Sequence, residues 1–184
     1  MTSFYNEEEL YALGLHHWGN DVLISRNAKL YGAHRISIGN HVRIDDFCIL
    51  SGTINIGNYV HIAASACLFA GDAGIILEDY VGISSRSALY AATDDYSGKA
   101  MTNPMVPEEL RCVTAATIRL QRHTLVGTGC TVLPGVTLAE GTSVGAMSLI
   151  NRDTLPWSIY YGVPAIRHKE RDQVPLALCT QLPE

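Results

Sequence analysis

Two adjacent carboxylates, Asp94 and Asp95, stand at the head of "DDYSGKAMTNPMVPEELRCVTAAT", a polar segment broken by prolines. An aspartate with its ordinary pKa near 3.9 is a weak base, but burial or a like charge beside it raises that value. The same residue types also open turns, so the pair reads either as acid–base groups or as the start of a loop. Histidine is the other natural proton carrier, and of the seven histidines His61, in "NYVHIAAS", holds the most suggestive place. Five cysteines, an odd number without CxxC spacing, suit neither a disulfide framework nor a zinc site. Reduced thiols are the expectation, as in a cytosolic protein.

The elements that must position these groups follow an unusual period. Aliphatic residues fall at 24, 30, 38, 44, 50, 56, 62 and 68, then 77, 83 and 89, then 120, 126, 132, 138, 144 and 150. A helix repeats near 3.6 residues and a strand at 2, so a six-residue beat belongs to neither. It suits a chain that runs a short strand, turns sharply and runs another. The residue after the aliphatic is often small (Gly39, Gly57, Ala63, Ser84, Gly127, Ala139, Gly145), as a tight corner requires. Three hexads close one triangular coil, and stacked coils bury a continuous column. The spacing therefore predicts an all-β solenoid; a flat sandwich of short strands is the alternative. Asn6 caps a short helix through "EEELYAL" that Gly14 stops. The expected organisation is an N-terminal helical segment over 1–20, coils over 21–93, an extended loop over 94–119, further coils over 120–155 and a tail over 156–184. His61 falls at an outward position of its hexad. Long irregular segments inside a regular solenoid tend to carry function, a disordered insertion being the other reading. Met101, Met105 and Val106 could pack there while Pro104 and Pro107 stiffen the path.

Composition narrows the partners. With 184 residues, 47% hydrophobic and 17% charged, the chain suits one compact domain with a sizeable core. A formal net charge of -5 argues against wrapping nucleic acid. The glutamates of the amino terminus do not read as a signal peptide, and no apolar run approaches the roughly 18 residues of a membrane span. A soluble, cytoplasmic protein is expected.

The segments "IGNHVRI", "IGNYVHI", "VLPGVTLAEGTSVGAMSLI" and "YYGVPAIRHKE" resemble the hexapeptide-repeat acyltransferases over about residues 20 to 170. The branches most alike are the galactoside and maltose O-acetyltransferases and the nucleotide-linked amino-sugar N-acyltransferases of surface polysaccharide synthesis. The resemblance implies a left-handed parallel β-helix and a homotrimer whose active sites lie between subunits, with the mid-chain loop reaching the neighbouring subunit. It implies transfer of an acyl group, expected to be acetyl from acetyl-CoA, to a sugar or nucleotide sugar. Relatives of the same helix also include zinc carbonic anhydrases, which need converging histidines with a His-x4-His pair. None occurs here, so no metal is expected. A non-catalytic trimeric β-helix scaffold is the remaining alternative, disfavoured by the long loop and the "GVPA" tail.

Carried over residue by residue, the resemblance assigns roles. Where the galactoside and maltose branch places its histidine base, this chain has "AATDD", so the matching position is Asp94 or Asp95. A carboxylate is a poor base for a hydroxyl, whereas an amine needs only to shed one proton. The substitution leans toward an amino-sugar acceptor, with O-acetylation of a galactoside- or maltose-like sugar as the alternative. Ala63 takes the place of a site asparagine, and His61 nearby is a third candidate for catalysis. Ser65, Tyr96 and Asn103 are the expected acceptor contacts. For coenzyme A, Thr128 and Ala146 match positions along the pantetheine arm. Arg152, Arg167 and Lys169 are cations placed to meet the nucleotide's phosphates. Gly162 and Pro164 shape the turn of the tail, and His123 sits at a corner where the family usually has asparagine.

Overall fold

In the computed structural model, which describes residues 3–182, the chain opens on the helix Glu7–Ala12. Asn6 Oδ1 accepts the Glu9 amide at 2.9 Å and the Glu9 carboxylate accepts the Asn6 amide at 2.7 Å, so two otherwise unpaired donors are satisfied reciprocally. Gly14 ends the helix with a φ of 68°. Leu10 is buried and joins the core, so the helix lids one end of the column that follows.

That column has three faces, each a ladder of parallel strands one coil apart. On the first, Ile24, Ile44, Ile62, Ile83, Val126 and Val144 pair in register. On the second, Leu30, Leu50, Leu68, Leu89, Val132 and Ile150 do the same. The third carries Trp18, Ile38, Ile56, Leu77, Leu120 and Leu138. Nearly all of these side chains are buried. Each contributes on the order of 1.5–3 kcal/mol of burial. A period of six is thus one side of a triangular prism, and the chain is a left-handed parallel β-helix. The antiparallel hairpin Ser158–Gly162 and Ala165–Glu170 closes the far end.

Each departure from the six-residue beat has a structural cause. Between Leu30 and Ile38 the chain inserts the short 3-10 turn Ala33–Arg35. Between Leu68 and Leu77 it bulges outward as a small tongue at Gly71–Ala73, within the bent strand Cys67–Leu77. Between Leu89 and Leu120 it leaves the prism altogether and returns at Ile118–Leu120.

Corners are where the repeat demands small residues. A Cβ on Gly39 would lie 2.7 Å from the Gly57 carbonyl carbon and oxygen, because successive coils stack backbone on backbone there. The next corner position is left-handed yet not glycine: His41, Tyr59, Tyr80 and His123 have φ between 55° and 63°. Their rings stack along the prism edge, His41 on Tyr59 at 4.5 Å, Tyr59 on Tyr80 at 5.5 Å and Tyr80 on His123 at 4.7 Å. The stacking offsets the cost of that backbone conformation.

Candidate active site

The mid-chain loop is anchored at its neck. Ala92–Thr93 pairs antiparallel with Thr114–Ala115, so the two ends of the excursion form a small ribbon standing off the prism. Within the loop a 3-10 turn, Glu108–Leu110, and a bridge between Met101 and Arg111 hold the path.

Beside the ribbon lies an open cleft of about 450 Å³ lined by Tyr90, Ala92, Thr93, Asp94, Tyr96, Thr131 and Leu133. Tyr90 is stacked on Phe69 one coil below at 5.2 Å, which fixes that wall. Tyr96 is 92% exposed, a ring with no protein packed on it.

The two aspartates have different surroundings. Asp95 accepts the amides of Ser97, Lys99 and Ala100 at 2.9, 2.8 and 3.1 Å, the signature of a residue shaping a loop. The Ser97 side chain and these amides hold its carboxyl below the usual range, making it a weaker base still. Asp94 is half-buried, and among the described residues its carboxylate has no hydrogen-bond or ionic partner. It can therefore meet an ammonium or an attacking amine in the cleft.

His61 lies elsewhere on this chain, on the first face of the prism. Its Nε2 is 2.8 Å from Asp45 Oδ2, and Arg43 Nε donates to the other oxygen of Asp45 at 2.7 Å. Burial pushes the Asp45 carboxyl up, but the hydrogen bonds and charges of His61 and Arg43 together outweigh it and leave it lowered. Ser65 occupies a left-handed corner next along the same coil, and Asn103 accepts the Met105 amide at 3.0 Å as a turn former within the loop. Of the expected acceptor contacts, one chain thus brings Tyr96 to Asp94 and leaves Ser65 and Asn103 outside that cleft. His123 is buried between Tyr80 and Trp157. Burial first, then the charges of Arg122 and Arg171, lower its pKa.

The expected coenzyme A contacts occupy the later coils and the tail. Thr128 shares a 2.8 Å hydroxyl contact with Ser85, and Ala146 is exposed beside Gly127. A Cβ on Gly127 would meet the Ala146 amide at 2.7 Å, so the two coils stack backbone on backbone there. Arg152 and Lys169 are exposed, and Arg167 donates to Ser158 Oγ at 2.9 Å. Among the described residues no group of His, Cys, Asp or Glu is gathered to hold a metal, and no helix is long and apolar enough to cross a membrane.

Tyr90 and Arg111 carry no mark of a site in the sequence. Tyr90 reads as an ordinary outward strand residue, and only the ring stack beneath it shows it to be a wall. Arg111 was one cation in a loop of unknown course.

No family model matches the chain. It is 38% identical, over 96% of its own length and 93% of the relative's, to dTDP-4-amino-4,6-dideoxy-D-glucose acyltransferase of Escherichia coli. A serine variant of an N-acyltransferase from Bacillus cereus, solved with dTDP-4-amino-4,6-dideoxyglucose and coenzyme A, shares 43% identity with a TM-score of 0.96, covering 98% of this chain and 97% of that one. The same enzyme has been solved with an aspartate replaced by asparagine. A hexapeptide-repeat acetyltransferase of Vibrio cholerae, 21% identical with a TM-score of 0.60 over 91% of this chain and 82% of that one, shares the fold. With such identity running the length of both chains on a coiled scaffold whose corners, columns and interrupting loop are now accounted for, the protein belongs to the hexapeptide-repeat acyltransferases, which use coenzyme A thioesters.

Proposed function

We propose that this protein transfers an acyl group from a coenzyme A thioester to the amino group of a dTDP-linked 4-amino-4,6-dideoxyhexose. The observation that carries the reading is Asp94, a carboxylate without a partner among the described residues, facing a cleft where hydroxyl-acylating relatives are expected to hold a histidine. The names and ligands of the Escherichia coli and Bacillus cereus relatives support the acceptor class. At neutral pH the acceptor arrives largely as an ammonium, which a carboxylate binds by a charge-assisted hydrogen bond. Asp94 takes one proton from that ammonium, which frees the lone pair with which the nitrogen bonds to the thioester carbonyl carbon. The C–S bond then breaks, the departing thiolate receives the second proton, shed by the nitrogen as it becomes the amide, and the proton on Asp94 passes to solvent. Ser84, which follows Ile83 at the corner one coil on from Ala63, is the candidate in this chain for the serine replaced in the Bacillus cereus variants.

Thr128 and Ala146 line the pantetheine arm in this reading, with Arg152, Arg167 and Lys169 toward the phosphates. The acyl group is acetyl or a short hydroxyacyl chain, since the Bacillus cereus enzyme was also solved with 3-hydroxybutyryl-CoA. The working form is a homotrimer, in which a neighbouring subunit covers the open cleft and supplies the groups that one chain holds elsewhere, His61 and Ser65 among them. The product suits a surface polysaccharide, and both co-substrates belong to the cytoplasm.

Thiol release from acetyl-CoA, measured with dTDP-4-amino-4,6-dideoxyglucose beside galactosides and maltose, tests the acceptor. Turnover with plain hydroxyl sugars alone would overturn it. Asp94→Asn should reduce turnover by roughly 10²- to 10⁴-fold while coenzyme A affinity holds. If His61→Ala loses activity and Asp94→Asn keeps it, the imidazole is the base.

A further inference from the structure

The ribbon Ala92–Thr93/Thr114–Ala115 borders a second cleft, larger than the first. It encloses about 640 Å³ between the tongue at Gly71–Ala73 and the returning strand of the loop, with Glu108, Arg111, Cys112 and Val113 along one wall. Ala92 lines both clefts, so they adjoin at the neck of the loop.

Both walls are fixed. Arg35 donates to the Gly71 carbonyl at 3.1 Å and to Asp72 at 2.5 Å, which pins the tongue. Thr117 Oγ1 donates to the Ala73 carbonyl at 2.6 Å, tying the tongue to the exit of the loop. Opposite, Arg111 is partly buried, its Nε is shut off from solvent without an acceptor, and among the described residues its guanidinium has no ion pair. A desolvated donor left unmatched is costly, so an anion is the expected complement. Glu108 is the one other charged group on that wall, a hydrogen-bond acceptor for a ligand that also carries N–H or O–H donors.

We propose that this cleft holds the nucleoside diphosphate arm of the acceptor, with Arg111 on the diphosphate and Glu108 on a donor of the nucleoside. The inference rests on the acceptor class proposed above. The connectivity of the substrate supports it: in a 4-amino sugar the reacting nitrogen and the diphosphate-bearing carbon lie on opposite sides of the hexose ring. A sugar lying over the ribbon therefore places its amine toward Asp94 and its diphosphate toward Arg111. A planar guanidinium pairs with phosphate oxygens two at a time, which lysine cannot match.

Cys112 supplies a readout independent of turnover, since it is exposed in the cleft while Cys48 and Cys130 are buried. On the full chain, calorimetric titration with dTDP should show binding that falls by about tenfold to a hundredfold in Arg111→Gln, the loss expected for one charge-assisted contact. Arg111→Lys should recover only part of it, and coenzyme A affinity should not change in either. Alkylation of Cys112 by iodoacetamide, followed by peptide mapping, should slow in the presence of dTDP and not with coenzyme A. If the wild-type protein binds no dTDP, the acceptor reading itself fails. If it binds dTDP while Arg111→Gln binds it equally well and Cys112 labels at an unchanged rate, the acceptor reading stands and this cleft is not its nucleotide site.

Discussion

Asp94 and Asp95 show how one peptide bond separates two kinds of carboxylate. Three amides converge on Asp95, so its charge belongs to the loop, whereas Asp94 is left facing a cleft. A third carboxylate, Asp45, is held by His61 and Arg43, and its lowered pKa makes a pH-dependent contribution to stability. The folded state binds that proton less tightly than the unfolded chain. The contribution is therefore complete above the ordinary value of 3.8 and is lost as pH falls through the lowered folded value. Asp45→Asn should lower the melting temperature near pH 7, and the gap from wild type should close progressively below about pH 4. A gap that stayed constant to pH 2 would show that the Asp45 charge does not contribute.

At the scale of the element, the corner decides what a hexad tolerates. Gly39 and Gly82 both stand in the repeat, yet their surroundings differ. A Cβ on Gly39 would press on the Gly57 backbone at 2.7 Å, and one on Gly82 would meet only the mobile end of Leu125 at 3.1 Å. Gly39→Ala should cost about 1–3 kcal/mol, because backbone stacked on backbone cannot give way. Gly82→Ala should melt within a degree or two of wild type, since Leu125 is partly exposed and can change rotamer. Denaturant titration of the two variants reads the difference, and equal losses would mean that coil spacing is softer than the stacking implies.

At the scale of the molecule, one column of aliphatic side chains joins every coil, so damage in a single rung is felt by its neighbours. Val132 is fully buried, with Leu89 below it and Ile150 above. Val132→Asp places an unpaired charge there and should cost more than about 4 kcal/mol, enough to leave little folded protein. A variant that melted like wild type would contradict the assignment of the columns. The assembled enzyme should sediment at about 60 kDa, three copies of the 20.0 kDa chain in a closed ring. A fully active monomer would remove the shared site.

The period of six, the helix cap at Asn6 and the points where the beat slips were legible in the residues, because each depends on contacts between near neighbours or on the sterics of a single corner. The loop was legible as an interruption, and its aspartates as its opening, since an irregular stretch declares itself by losing the beat. Which aspartate stays available could not be read, because it depends on where the amides of Ser97, Lys99 and Ala100 point once the loop has closed. Nor could the pairing of Ala92 with Ala115, or the meeting of Arg111 with a tongue some forty residues earlier. Those contacts arise because the prism carries distant segments to the same edge. His123 was expected at a corner, and what the sequence could not supply is the pair of rings, Tyr80 and Trp157, that lie against it there. Repetition writes the scaffold into the sequence at short range, while the clefts form wherever the chain leaves and rejoins it, and only the folded backbone determines what faces them.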